Sequence, residues 1–136
     1  MRIVLDTVIY VRALINPNGR WGRLALEVAR RHTTITSPEI MREVIEVLQR
    51  PELKDTLPAM EYAFRFEAIL AALRQAEVVE PKKQASVCRD PDDDKSFWCA
   101  AAAGADYIVS EDGDVSAVEE YEGSRTISAA DFLELE

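Results

Sequence analysis

The sequence predicts an α/β fold with a mostly parallel sheet covered by helices on both faces. Three observations carry that reading. Short apolar or β-branched runs, Ile3-Val4-Leu5, Thr33-Thr34-Ile35-Thr36, Tyr107-Ile108-Val109 and Arg125-Thr126-Ile127, recur along the chain as strands. Between them lie stretches with apolar residues at helical spacing. Those stretches open and close with capping chemistry, at Ser37-Pro38-Glu39, Asp90-Pro91-Asp92-Asp93 and Gly104. Strands that alternate with helices form right-handed βαβ units, and such units build parallel sheets.

Taken in order, Ile3 to Leu5 is a buried strand ending at Asp6, and the apolar run Val8 to Leu14 favours a short helix. Asn16-Pro17-Asn18-Gly19 is turn chemistry. Gly22 to Arg31 carries Leu24, Ala25, Val28 and Ala29 on one helical face. Thr33 to Thr36 is a strand, and Ser37 caps a helix reaching about Gln49. Pro51 opens a short turn, Leu57 to Ala76 is the longest helical candidate, and Val78-Val79 is a short strand. Asp90-Pro91-Asp92-Asp93 opens a helix that continues to about Ala103, where Gly104 stops it before the strand Tyr107 to Val109. Asp112-Gly113 turns into a helix expected over Val115 to Tyr121. Arg125 to Ile127 is the last strand, and Ser128 caps a last helix from Ala129 to Leu135.

At 136 residues, 48% apolar and 30% charged with only 5 Gly and 6 Pro, the composition is that of an ordinary globular chain, and one domain spanning 1–136 is expected. The longest uncharged apolar stretch, Phe97 to Ala105, is far below the roughly 20 residues of a bilayer-spanning helix. Cys88 and Cys99 are too few for a disulfide framework, and Asp6 interrupts any signal-like apolar run, so a cytoplasmic protein is expected. The net charge of −9 argues at first against a nucleic-acid partner. The charge is segregated, however. Residues 1–89 hold 14 basic and 11 acidic side chains, and residues 90–136 hold 2 and 14.

Ligands of open α/β sheets bind beyond the carboxyl ends of the parallel strands. Asp6 directly follows the first strand, and Asp112 follows the Tyr107 strand after Ser110-Glu111. Glu43 borders the buried stripe of Ile40, Val44, Val47 and Leu48, whereas Glu39 and Glu46 are expected to point toward solvent. In the run Asp90-Pro91-Asp92-Asp93-Asp94, Asp90 reads as the cap and Asp93 as the acid above the sheet-facing side of the helix, with Asp92 and Asp94 as rivals. Each acid also has a bland reading as a cap, a turn residue or a solvated carboxylate. Carboxylates converging without a matching Lys or Arg repel one another unless a divalent cation holds them ionised. Oxygen-only donors suit Mg2+ or Mn2+, and His32, Cys88 and Cys99 lack zinc-site spacing. Such an ion acidifies water and neutralises a phosphodiester, so phosphodiester hydrolysis follows.

Leu5-Asp6-Thr7, Ser37-Pro38-Glu39-Ile40-Met41-Arg42-Glu43-Val44, Asp90-Pro91-Asp92-Asp93-Asp94-Lys95 and Ala105 to Asp114, in that order, resemble the PIN-domain family, with Asp-Phe-Leu near the end. The similarity extends in particular to PIN proteins that are toxin components of toxin–antitoxin systems, related to VapC. The resemblance implies a three-layer α/β/α fold and a Mg2+- or Mn2+-dependent endoribonuclease. Asp6, Glu43, Asp93 and Asp112 match the family's acidic metal site, Asp114 a further acid beside it, and Ser110 the Thr or Ser before the last acid. It also implies homodimers and a cognate antitoxin that blocks the site.

Two positions depart from the family pattern. Val8 stands where Asn or Ser usually follows the first Asp-Thr, and Glu111 where many relatives have Gly. They motivate an alternative, a catalytically weak or inactive PIN-like module binding RNA or protein. A phosphoryl-transfer protein of haloacid-dehalogenase type needs a second Asp where Val8 stands. For RNA contact the sequence offers Arg12, Arg20, Arg23, Arg30, Arg31 and Arg42. Trp21, Trp98 and the segment Tyr62 to Phe66 are expected to pack in a core or dimer contact.

Overall fold

The computed structural model describes all 136 residues. Six strands form one sheet: β1 (Arg2–Leu5), β2 (Thr33–Thr36), β3 (Glu77–Val78), β4 (Tyr107–Val109), β5 (Glu120–Tyr121) and β6 (Ser124–Ile127). Their order is β3-β2-β1-β4-β6-β5. Every neighbouring pair is parallel except β5 with β6. The helices are α1 (Thr7–Ile15), α2 (Arg20–Leu26), α3 (Pro38–Leu48), α4 (Pro51–Lys54), α5 (Ala59–Gln75), α6 (Asp94–Ala103), α7 (Gly113–Ser116) and α8 (Ala129–Leu135), with 3₁₀ turns at Val28–Arg31 and Pro91–Asp93.

Central β1 is covered on both faces, which is why Ile3, Val4 and Leu5 form an unbroken apolar run, each at most 1% exposed. One layer holds α1, α2, α5 and α8, packed against one another, while α6 lies across β1, β2 and β4. Right-handed crossovers put these two layers on opposite faces. The core between them includes Ile9, Leu14, Ile35, Ile40, Leu48, Ile69, Phe97, Ile108 and Phe132. No helix is long and apolar enough to cross a membrane.

The local signals act where they were read. Ser37 Oγ accepts from the Ile40 amide at 3.3 Å with Pro38 in the first turn, Ser128 Oγ accepts from the Asp131 amide at 3.1 Å, and Gly104 ends α6 at φ 63°. Gly22 has a steric cause. A Cβ there would lie 2.1 Å from the Pro17 carbonyl oxygen, so α2 can rest on the Asn16–Gly19 turn only without a side chain at this position.

One expectation is corrected. The helix placed over Val115 to Tyr121 stops at Ser116, and Glu120–Tyr121 instead pairs antiparallel with Ser124–Arg125. Glu122 (φ 47°) and Gly123 (φ 88°) form the two-residue connection, both with positive φ as a type I′ hairpin turn requires. A two-residue strand leaves no periodicity to read, so tertiary pairing with β6 decides its conformation.

Candidate active site

The chain order reverses between β1 and β4: β2 and β3 lie to one side, β6 and β5 to the other. This is the topological switch point of the sheet, where the crossovers diverge and leave a crevice. Asp6 and Ser110 end the two strands that flank it. The Asp6 amide donates to the Val109 carbonyl at 3.0 Å and the Ser110 amide to the Ile127 carbonyl at 3.0 Å, so the ladder carries both residues to the rim in register.

Asp6 is 4% exposed. Its Oδ1 accepts from the Thr7 amide at 2.8 Å and from Ser96 Oγ at 3.3 Å, and its Oδ2 accepts from Ser110 Oγ at 2.8 Å. Burial raises its pKa despite these donors, with the Glu43 charge adding to the rise. Ser110 also receives the Asp112 amide at 3.0 Å, linking the first and last acids through one hydroxyl. Asp112 caps α7, its Oδ1 accepting from the Asp114 amide at 2.7 Å.

The aspartate run at the start of α6 divides by direction. Asp94 is 3% exposed and turns back into the preceding loop, where its Oδ1 accepts from the Val87 amide at 3.2 Å and the Cys88 amide at 2.9 Å. Asp92 is exposed. Asp93 faces the other acids: its pKa is pushed up to about 7, by burial first and then by the charges of Asp112, Asp6 and Asp90. Its Oδ2 is buried and has no hydrogen-bond partner. Asp90, read only as a cap, does cap, accepting from the Asp92 amide at 3.0 Å. It also lies beside Asp93, and one carboxylate oxygen from each of Asp90, Asp93 and Asp114 falls within 4.8 Å of the others. The signal for this was available, because residues i and i+3 of a 3₁₀ turn eclipse one another.

Glu43 is not free of a counter-charge, contrary to the expectation of acids lacking a Lys or Arg. Lys95 Nζ donates to Glu43 Oε2 at 2.8 Å and to the Asp92 carbonyl. This pair spans α3 and α6, and Lys95 also draws the Asp93 pKa down. Glu39 likewise departs from its solvent-facing expectation: it is half-buried, with Oε2 unpartnered. The contact of Ser96 with Asp6 spans 90 residues, so no local pattern marks it.

Glu111 leaves the acid cluster altogether. Its Oε1 accepts from Trp21 Nε1 at 3.2 Å and from the Ala129 amide at 3.0 Å, tying α2 to the start of α8. Cavity size does not locate the site. Cavities of about 410, 370 and 510 Å³ are lined by none of Asp6, Glu43, Asp93 and Asp112. The donor set suits a hard divalent cation: the oxygens are all carboxylate, and a buried Asp93 oxygen lacks any partner.

Comparison with known proteins bears on this arrangement. The family model described as "PIN domain" matches residues 2–114. The uncharacterized protein MJ1680 of Methanocaldococcus jannaschii is 33% identical over 117 residues, covering 85% of this chain and 73% of that protein. Two solved structures share the fold. PAE2754 from Pyrobaculum aerophilum superposes with a TM-score of 0.66 at 15% identity, over 99% of this chain and 88% of that one. VapBC2 from Rickettsia felis, solved bound to a DNA fragment from its promoter, superposes with a TM-score of 0.61 at 12% identity, over 94% of this chain and 98% of that one. With a family model covering more than four-fifths of its length and acids gathered at the switch point of its sheet, this chain belongs to the PIN-domain family.

Proposed function

We propose that this protein is a divalent-metal-dependent endoribonuclease and the toxin of a toxin–antitoxin pair, acting in the cytoplasm as a homodimer. The observation that carries the catalytic part is Asp93: set at the start of α6, it feels the charges of Asp6 and Asp112, which follow β1 and β4, and a buried oxygen of its carboxylate is left unpartnered. Asp6, Asp93 and Asp112 would hold the ion with Glu43 of α3 beside them, and Asp90 and Asp114, whose carboxylate oxygens lie within 4.8 Å of one from Asp93, would offer further ligands. Bound Mg2+ or Mn2+ supplies neutralisation of the scissile phosphodiester and acidification of the attacking water.

The protein's own residues prepare that chemistry. Ser110, Ser96 and the Thr7 amide fix both oxygens of Asp6 and oppose the rise in its pKa that burial causes. Lys95 holds the Glu43 carboxylate and lessens repulsion within the cluster. The structural likeness to VapBC2 of Rickettsia felis supports the toxin assignment and an antitoxin partner. A second reading, a binding module without turnover, draws on Val8 and on the Lys95 ion pair that already engages Glu43.

The test is cleavage of a panel of single-stranded and structured RNAs in Mg2+, Mn2+ and EDTA, with Asp6→Asn and Glu43→Gln proteins purified identically. Metal-dependent cutting lost in both variants supports the nuclease. RNA binding with equal, metal-insensitive background in all three proteins establishes the module instead.

A further inference from the structure

Trp21 is linked to the rim of the acid site through the chain: its indole N–H donates to Glu111 at 3.2 Å, and Glu111 lies between Ser110 and Asp112 in sequence although its carboxylate turns away from the acids. Two guanidiniums lie over that indole: Arg12 of α1 at 4.8 Å from the ring centroid and Arg20 of α2 at 5.6 Å. Neither arginine enters an ion pair, although the chain carries nine more acids than bases. The indole is held through its N–H. Glu111 takes its N–H while also accepting from the Ala129 amide, and the adjacent Gly22 lets this first turn of α2 lie close against the Pro17 backbone.

We infer that Arg12, Trp21 and Arg20 form a phosphate-binding platform for single-stranded RNA at the edge of the acid site, and that Glu111 is its positioning residue. The inference rests on the ribonuclease reading and names where the substrate backbone is held. A guanidinium held over an indole face loses less freedom when it meets a phosphate than one on an unrestrained side chain, and its N–H donors not turned to the ring stay available. A polyanion approaching a cluster of carboxylates needs such fixed cations nearby. Glu111 therefore does not act as a repelling charge. Its lone pairs orient the indole, and the indole orients the cations.

This makes the Glu111 substitutions diagnostic. Simple charge repulsion requires Glu111→Ala to bind RNA more tightly. The platform requires it to bind more weakly, and Glu111→Gln, which keeps an acceptor oxygen, to bind at least as well as the parent. The experiment measures fluorescence anisotropy of a labelled 12-nucleotide single-stranded RNA in EDTA across 25–200 mM KCl. The parent, Glu111→Ala, Glu111→Gln, Arg12→Gln, Arg20→Gln and Trp21→Phe proteins are compared, with folding checked by circular dichroism. Each arginine variant lowers the slope of log affinity against log salt by about 0.7. Trp21→Phe keeps the ring face and loses the N–H, so it reproduces Glu111→Ala. Tighter binding by Glu111→Ala, or arginine variants with the parental slope, overturns the platform while leaving the ribonuclease reading intact. A parent that neither binds nor cleaves any RNA of the panel overturns both.

Discussion

In the metal-free protein, Asp93 titrates near 7 instead of 3.8, because burial and the charges of Asp112, Asp6 and Asp90 disfavour its ionised form. In the unfolded chain it ionises at the ordinary value. Between roughly pH 4 and 7 the folded state thus binds a proton that the unfolded state has lost, and stability rises as pH falls through this window. A rise of about three pH units sets an upper bound of about 4 kcal/mol; solvent screening at this half-exposed rim reduces it to about 1–2 kcal/mol. Asp93→Asn removes the ionised form and stabilises the metal-free protein at pH 8 by that amount, a gain of about 3–10 °C in Tm. A divalent cation reverses the sign, since binding requires Asp93 ionised and expels its proton. Mn2+ affinity accordingly falls about tenfold per pH unit below 7. Differential scanning fluorimetry at pH 5.5–8, with EDTA or Mn2+, and calorimetry in buffers of different ionisation enthalpy measure both effects. A metal-free Tm that rises with pH across this window in the parent and in Asp93→Asn alike, with no proton released on Mn2+ binding, refutes the reasoning.

Ser110→Ala takes one donor from Asp6 and one acceptor from the Asp112 amide; Mn2+ affinity falls about 10–100-fold by titration, with little change in fold. Gly22→Ala costs about 1–3 kcal/mol in urea unfolding, because the new Cβ meets Pro17 backbone at 2.1 Å, whereas Gly113→Ala, where nothing lies within 4 Å, stays within about 0.5 kcal/mol of the parent. Glu122→Asn relieves a positive φ in the hairpin turn and stabilises the protein by about 0.5–1 kcal/mol by the same assay.

What the sequence reveals here follows from how far each contact reaches along the chain. Caps and strand ends are local, so Ser37, Asp90, Gly104 and Ser128 mark element boundaries directly, and Asp6 and Asp112 are placed by the strands they follow. The direction of Asp94 depends on the Val87 and Cys88 amides of an irregular loop, which no periodicity describes. Lys95 finds Glu43 across 52 residues, and Glu111 finds Trp21 across 90. Both contacts alter the electrostatics of the site, one by supplying a cation and one by withdrawing an acid. Charge counts alone therefore misjudge the site. Trp21, half-buried against the core as its apolar character predicts, also carries two cations on its ring, a role visible only once α1 and α2 are packed.

The central claim is that the acids at the β1/β4 switch point hold a divalent cation. A crystal of the protein grown with Mn2+ and measured at the manganese absorption edge tests it directly. An anomalous peak bound by oxygens of Asp6, Asp93 and Asp112 is expected. An anomalous map without a peak at these carboxylates, from crystals in millimolar Mn2+ near pH 8, contradicts it.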